Sequence, residues 1–123
     1  MLEEALTSDI IGSAIDVHRA MGPGLLESAY EACLAYELTR RGHDVERQKS
    51  LPIRYGDVTL DAGYRIDMLV DDRVVVELKA VAQLLPVHDA QLLSYLRLSG
   101  KRVGLLINFH VQTLKAGVRR LVL

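Results

Sequence analysis

The 123-residue chain has a single cysteine, Cys33, so it cannot form an internal disulfide, and a disulfide-stapled secreted scaffold is excluded. No apolar run approaches the roughly 18–20 residues of a spanning helix. The opening Met1-Leu2-Glu3-Glu4 is acidic and lacks the basic-then-apolar layout of a signal peptide. No internal repeat, low-complexity stretch or long linker interrupts the chain. There is no phosphate-cradling glycine loop either, because Gly22-Pro23-Gly24 lacks the lysine and spacing of one. His43 and His110 stand in no metal-ligand spacing. Net charge is only -1 while 50% of residues are apolar, which excludes intrinsic disorder. The expectation is one soluble, cytoplasmic domain over residues 1–123, large enough to bury its own core.

The small net charge conceals an asymmetry. Residues 1–31 hold six acids (Glu3, Glu4, Asp9, Asp16, Glu27, Glu31) against one base, Arg19. Residues 90–123 hold six bases (Arg97, Lys101, Arg102, Lys115, Arg119, Arg120) and no acid. This division allows a basic face for an anionic partner. The alternative is a solvated tail neutralised by the acidic N-terminal segment.

Residues 3–20 read as a helix, with Leu2, Leu6, Ile10, Ala14 and Val17 at three- and four-residue steps and Ile11 and Ile15 widening the stripe. Gly22-Pro23-Gly24 ends it. A second helix is expected over 25–41, carrying Leu26, Tyr30, Leu34 and Leu38, with Gly42 as a left-handed cap. Residues 45–55, with Pro52, fit an edge strand. Residues 58–70 read as a strand placing Ile66, Met68 and Val70 on one face and Arg65, Asp67 and Leu69 on the other. Residues 73–79 form the next, with Val75, Glu77 and Lys79 sharing a face. Pro86 opens a helix that Gly100 closes. Residues 102–108 are the most apolar strand, and a short strand or extended segment ends the chain. The expected architecture is α/β: an antiparallel meander, a helical crossover to a further strand, and helices packed on the mixed sheet.

The strongest chemical signal is Asp67 followed by Glu77-Leu78-Lys79. A carboxylate and an ammonium on one face of an apolar strand need a reason, because burying them unpaired is costly. An edge strand with that face in water would supply one. The turn between the strands bears on the choice. A three-residue loop (Asp71, Asp72, Arg73) pairs Val70 with Val74 and sets Asp67 opposite Glu77. Two carboxylates then converge, which is unfavourable unless a cation sits between them. A two-residue loop would pair Asp67 with Val76 and require a bulge. The following helix carries Gln91 and Tyr95 at i,i+4, with His88 one turn earlier. Carboxylate oxygens without nearby cysteine point to Mg²⁺ or Mn²⁺, which activates water and neutralises a phosphoryl transition state.

The run Gly24-Leu25-Leu26-Glu27-Ser28-Ala29-Tyr30 resembles the signature of the GxxExxY protein family, whose members resemble the PD-(D/E)xK nuclease superfamily with its restriction-endonuclease-like core. The resemblance spans nearly the whole chain. It takes in Val17-His18, Gly22-Pro23-Gly24, Arg47-Gln48, Arg65-Ile66-Asp67, Glu77-Leu78-Lys79-Ala80-Val81, Ala90 to Leu96 and Gly104 to Phe109. It implies that Asp67 and Glu77 are metal-ligand carboxylates, that Leu78 offers its backbone carbonyl, and that Lys79 positions the attacking water. Glu27 would bind metal directly or through water. Gln91 and Tyr95 would match the Gln-x-x-x-Tyr helix motif of the RecB-like branch. Ile66 stands where the superfamily's proline would be, a departure that removes no ligand.

His18 is expected to be hydrogen-bonded or at the surface, Cys33 to pack, and Tyr30 to be a core aromatic with its hydroxyl bonded. His88 is a weaker candidate for a phosphate contact. The resemblance implies a Mg²⁺-dependent nuclease acting on DNA or RNA. Two other readings fit the same residues: a catalytically silent nucleic-acid-binding or regulatory module, and a small assembly protein with a residual pocket. The intact acid–acid–lysine set favours the first, since binding phosphate needs no carboxylates. By analogy of fold alone, so small a domain is expected to act as a homodimer or with a partner protein.

Overall fold

The computed structural model describes residues 1–123. In chain order its elements are α1 (Glu4–Met21), α2 (Glu27–Arg40), β1 (Val45–Ser50), β2 (Ile53–Tyr55), β3 (Val58–Leu60), β4 (Arg65–Val70), β5 (Val74–Lys79), α3 (Pro86–Ser99), β6 (Val103–Asn108), a single 3-10 turn (Leu114–Gly117) and β7 (Val118–Val122). Five strands form one mixed sheet in the order β1-β4-β5-β6-β7. All neighbours are antiparallel except β5 and β6, which α3 joins as a parallel crossover.

Each face of the sheet is covered by its own helices. Leu6, Ile10, Ala14 and Val17 of α1 and Tyr30, Leu34 and Leu38 of α2 pack on Met68, Val70, Val76, Leu78, Leu105 and Ile107. Leu92, Tyr95 and Leu96 of α3 pack on Leu69, Val75 and Leu106 across the other face. The expected apolar stripes therefore do the packing, apart from their first members. Leu2 precedes α1 and is exposed, and Leu26 caps α2 from outside the helix at 77% exposure. Tyr30 is fully buried, stacks on Phe109 at 4.4 Å between ring centroids, and donates its hydroxyl to the Gly22 carbonyl at 2.5 Å. His18 meets the Val111 carbonyl at 2.7 Å. Cys33 is half-buried against the same core.

Three sequence expectations are corrected. Residues 45–55 and 58–70 are each broken into two strands. Leu51 turns inward and donates its N–H to the Tyr64 carbonyl at 2.9 Å, and Pro52, with no N–H to give, ends the pairing. The intervening β2 and β3 pair only with each other, as a hairpin beyond the main sheet. Further on, Gly63 takes a left-handed φ of 80°, with its N–H bonded to Asp61 at 3.0 Å, so no continuous strand reaches β4. Lastly, Ile66 packs with Leu69 on the α3 side and not with Met68. The β1–β4 ladder skips the Gln48–Asp67 position, where Gln48 has φ 52°, and the side-chain alternation breaks there.

The β4–β5 turn is the three-residue form. Val70 pairs with Val74 and Met68 with Val76, around Asp71, Asp72 and Arg73. Asp71 and Asp72 both hold left-handed φ (53° and 56°), which aspartate tolerates better than most residues. The turn is clamped from outside. Asp71 accepts from the Asp44 N–H at 2.8 Å and meets His43 Nδ1 at 2.7 Å, while His43 Nε2 contacts Asp9 on α1. The hydrogen bonds to Asp9 and then Asp71 raise the His43 pKa, so the imidazolium is favoured between its two carboxylates.

At the far end of the sheet Asn108 bonds both the N–H (3.0 Å) and the carbonyl (2.9 Å) of Val81, holding the chain just past β5. Gly117 lies against this point: a Cβ there would stand 2.2 Å from the Asn108 carbonyl oxygen. Gly117→Ala is expected to lower stability by roughly 1–3 kcal/mol through the backbone shift it forces. Urea denaturation should show an earlier midpoint with an unchanged slope; an unchanged midpoint would mean the contact is not close.

Candidate active site

Asp67 and Glu77 sit where the β4–β5 ladder ends, on directly opposed positions of two interior strands. Beyond Met68–Val76 the side chains take over the cross-strand bonding. The Asp67 N–H donates to Glu77 Oε1 at 3.0 Å, and the Leu78 N–H donates to Asp67 Oδ2 at 2.9 Å. Glu77 is 4% exposed and Asp67 half-buried. The solvated edge strand considered for this face is thereby excluded. Burial first, and the neighbouring Asp67 charge second, push the Glu77 pKa up to about 8. At neutral pH Glu77 is mostly protonated while nothing more positive than Lys79 stands beside it.

Lys79 follows on the same face. Its Nζ donates to Gln91 Oε1 at 3.2 Å, and Gln91 Nε2 donates to the Tyr95 hydroxyl at 3.0 Å. One turn of α3 thus fixes the lysine, as the i,i+4 spacing of Gln91 and Tyr95 permits. The Tyr95 pKa is raised, by burial and then by the charge of Glu77, so its hydroxyl stays protonated while it accepts from Gln91. His88 takes no part in this chain: its Nδ1 accepts from the Leu85 N–H at 2.9 Å and caps α3.

From the opposite layer α2 brings two glutamates to the same end of the sheet. Glu27 is exposed and accepts from the Ala80 N–H at 3.2 Å, next to Lys79. Glu31 is buried and pairs with Arg47 at 3.0 Å. Gln48 donates both to Glu31 at 2.5 Å and to Asp67 at 3.2 Å. Gln48 holds its left-handed φ at this bridge, a local cost of the kind that gathers at functional sites. Sequence reading singled out neither Glu31 nor Gln48 as a site residue. The available signal was spacing: Glu27 and Glu31 lie one helical turn apart on α2 and so share a face.

Asp67, Glu77, Lys79, Gln91 and Tyr95 are therefore together, with Glu27 beside them and the Leu78 backbone between the carboxylates. Glu27 and Glu31 stay engaged with Ala80, Arg47 and Gln48, and no three His, Cys, Asp or Glu side chains are clustered as a metal cage. The six basic residues of the C-terminal third are not brought to one face. Arg119 pairs with Asp89 of α3 at 2.5 Å, whereas the adjacent Arg120 reaches the Leu2 carbonyl beside α1. Lys101 pairs with Asp72 at 3.1 Å, and Arg102 Nε reaches the Leu123 carbonyl at 3.4 Å. Arg97 and Lys115 are exposed on α3 and on the 3-10 turn.

Comparison with known proteins adds one finding. Residues 4–121 match the family model described as the PD-(D/E)XK nuclease superfamily. The five-stranded mixed sheet flanked by three helices agrees with that fold. No curated protein and no solved structure gives a match.

The Glu77 site has a consequence for stability. Its folded pKa lies above the ordinary value of 4.5, so the native state holds the extra proton between pH 4.5 and about 8. Native stability in EDTA should then fall as pH rises through that window, to the extent that Glu77 contributes. Glu77→Gln removes the ionisation. The variant's advantage over wild type in urea melts is expected to grow from pH 5 to pH 8.5; a pH-independent difference would contradict the burial of an ionisable Glu77.

Proposed function

Because the chain belongs to the PD-(D/E)XK nuclease superfamily, whose members act on nucleic acid and generally use divalent metals, we propose that it hydrolyses phosphodiester bonds at the Asp67–Glu77–Lys79 site. One observation carries this reading: a central strand buries a carboxylate opposite a second carboxylate, with a lysine next on the same face. Ion pairing for stability would have put an arginine or lysine opposite Glu77. Ionising both carboxylates in so dry a site is disfavoured until a cation joins them.

The donor set fits Mg²⁺ or Mn²⁺. Both prefer carboxylate and carbonyl oxygen, and Mg²⁺ binds through one or two carboxylates while keeping several waters. Asp67 and Glu77 would hold the ion, with the Leu78 carbonyl, and Glu27 would complete the shell through water. When bound, such an ion neutralises charge on the phosphoryl group and lowers the pKa of water. The chain's own residues do the rest. Lys79 has donors and no lone pair, so it is no ligand; it orients the attacking water and offsets charge developing on the phosphoryl oxygens. Gln91 positions Lys79, and Tyr95 positions Gln91. Gln48 and Glu31 hold Asp67 in place. Gly24 to Tyr30 supports a place within the GxxExxY group. Of the basic residues, Arg97 is exposed on α3 and Arg119 is paired with Asp89 of the same helix, and both are proposed as secondary phosphate contacts. No helix is long and apolar enough to cross a membrane, and the proposed setting is the cytoplasm.

The test is cleavage of linear and circular DNA and of RNA with Mg²⁺, Mn²⁺ or EDTA. Lys79→Ala is expected to lower the rate by on the order of 10²–10³, the usual cost of one preorganised electrostatic donor. Asp67→Ala should abolish cleavage. Activity that survives Asp67→Ala, or wild type inert on every substrate, would overturn the nuclease reading and leave a nucleic-acid-binding module on the same fold.

A further inference from the structure

Beside Lys79 lies an open groove of about 660 Å³, within the roughly 300–1,000 Å³ range of ligand-binding clefts. Its floor includes Lys79 and Gln91, so it is continuous with the proposed catalytic site. Its walls are of another character. Ile53 at the base of the β2–β3 hairpin, Val87 and Leu98 on α3, and the ring of Tyr64 supply mostly apolar surface, and Lys79 is the one lysine or arginine in the lining.

Tyr64 is held in place without being buried. Its ring meets Tyr95 edge-on at 6.2 Å and 64°, and it is 44% exposed. A packed chain thus runs from Tyr64 through Tyr95 and Gln91 to Lys79. The aromatic wall and the catalytic ammonium are set relative to each other by the same turn of α3.

A duplex presents its phosphates outward and its bases inward. Proteins hold it chiefly through several lysine and arginine contacts to the backbone. This groove offers one lysine and no arginine, with His88, Gln91 and Ser94 as its other polar residues, and a large apolar wall, which suits a strand whose bases are free to leave the stack and lie on an aromatic side chain. Resting on the nuclease reading above, we infer that the groove takes an unpaired base against Tyr64, so that the substrate class is single-stranded nucleic acid. Tyr64 is then a specificity-determining residue that seats the nucleotide next to the scissile phosphate.

Binding is measured by fluorescence anisotropy in EDTA at low salt, which separates it from cleavage. The probes are a labelled oligothymidylate, an abasic oligomer of the same length, and a mixed-sequence duplex of equal length. Oligothymidylate is expected to bind more tightly than either of the others. Tyr64→Ala should weaken oligothymidylate by about tenfold, in keeping with loss of one base–aromatic stack, and leave the duplex unchanged. Tyr64→Phe, which keeps the ring, should bind like wild type. Circular dichroism and urea melts establish that both variants are folded. The inference is overturned if the duplex binds as tightly as oligothymidylate, if the abasic oligomer does, if oligothymidylate does not bind, or if folded Tyr64→Ala binds it unchanged. Cleavage is scored separately. Tyr64-dependent binding of oligothymidylate with no cleavage under any metal keeps the substrate class and fails the nuclease reading. Duplex cleavage indifferent to Tyr64→Ala does the reverse.

Discussion

The register of one β-hairpin sets up everything of chemical interest in this protein. With three residues in the β4–β5 turn, Asp67 falls opposite Glu77. Shortening the loop by one residue would set a valine opposite Asp67 instead. The fold secures that turn from three directions: Asp44 by its backbone, His43 by its ring, and Lys101 by an ion pair to Asp72. His43 in turn contacts α1 through Asp9. The clamp makes the turn part of the rigid frame, although its two aspartates occupy backbone conformations that cost energy. A slip of one residue in either strand would also send a row of buried valines toward the wrong face.

Because the carboxylates face each other in the interior, the sheet must satisfy them with no cation directly opposite either one. It does so by ending the ladder early. The peptide N–H groups of Asp67 and Leu78 donate to carboxylate oxygens of the opposing strand, and the Glu77 pKa rises until its charge is largely suppressed at neutral pH. That is an expensive way to terminate two strands if stability were the only demand, since an apolar pair at the same positions would pack at no electrostatic cost. Lys79, Gln91 and Tyr95 extend the same logic across the face of α3. Each polar group is bonded, and each bond orients a group nearer the carboxylates.

Much of this was legible in the sequence because it depends on local spacing. Helical stripes, the glycine and proline breaks, and the parallel crossover are all periodicity or punctuation. The Asp67–Glu77 opposition follows from loop length alone once the loop is taken as three residues. Features that depend on tertiary choice were not legible. The β2–β3 hairpin leaves the sheet where Leu51 is buried beside α3, and Ile66 changes sides next to the ladder break at which Gln48, left-handed, bonds Glu31 and Asp67. Arg119 and Arg120 look like one basic patch in sequence, yet adjacent strand residues point to opposite faces, and each found a partner there.

The central claim is that the Asp67–Glu77 pair is built for a divalent ion. The most direct measurement is Mn²⁺ titration at pH 8, read by loss of the free-ion EPR signal, for wild type, Asp67→Asn, Glu77→Gln and Lys79→Met. Saturable binding to wild type and to Lys79→Met, lost in both carboxylate variants, is the predicted result. Equal binding by all four proteins, or none by wild type, would contradict the account.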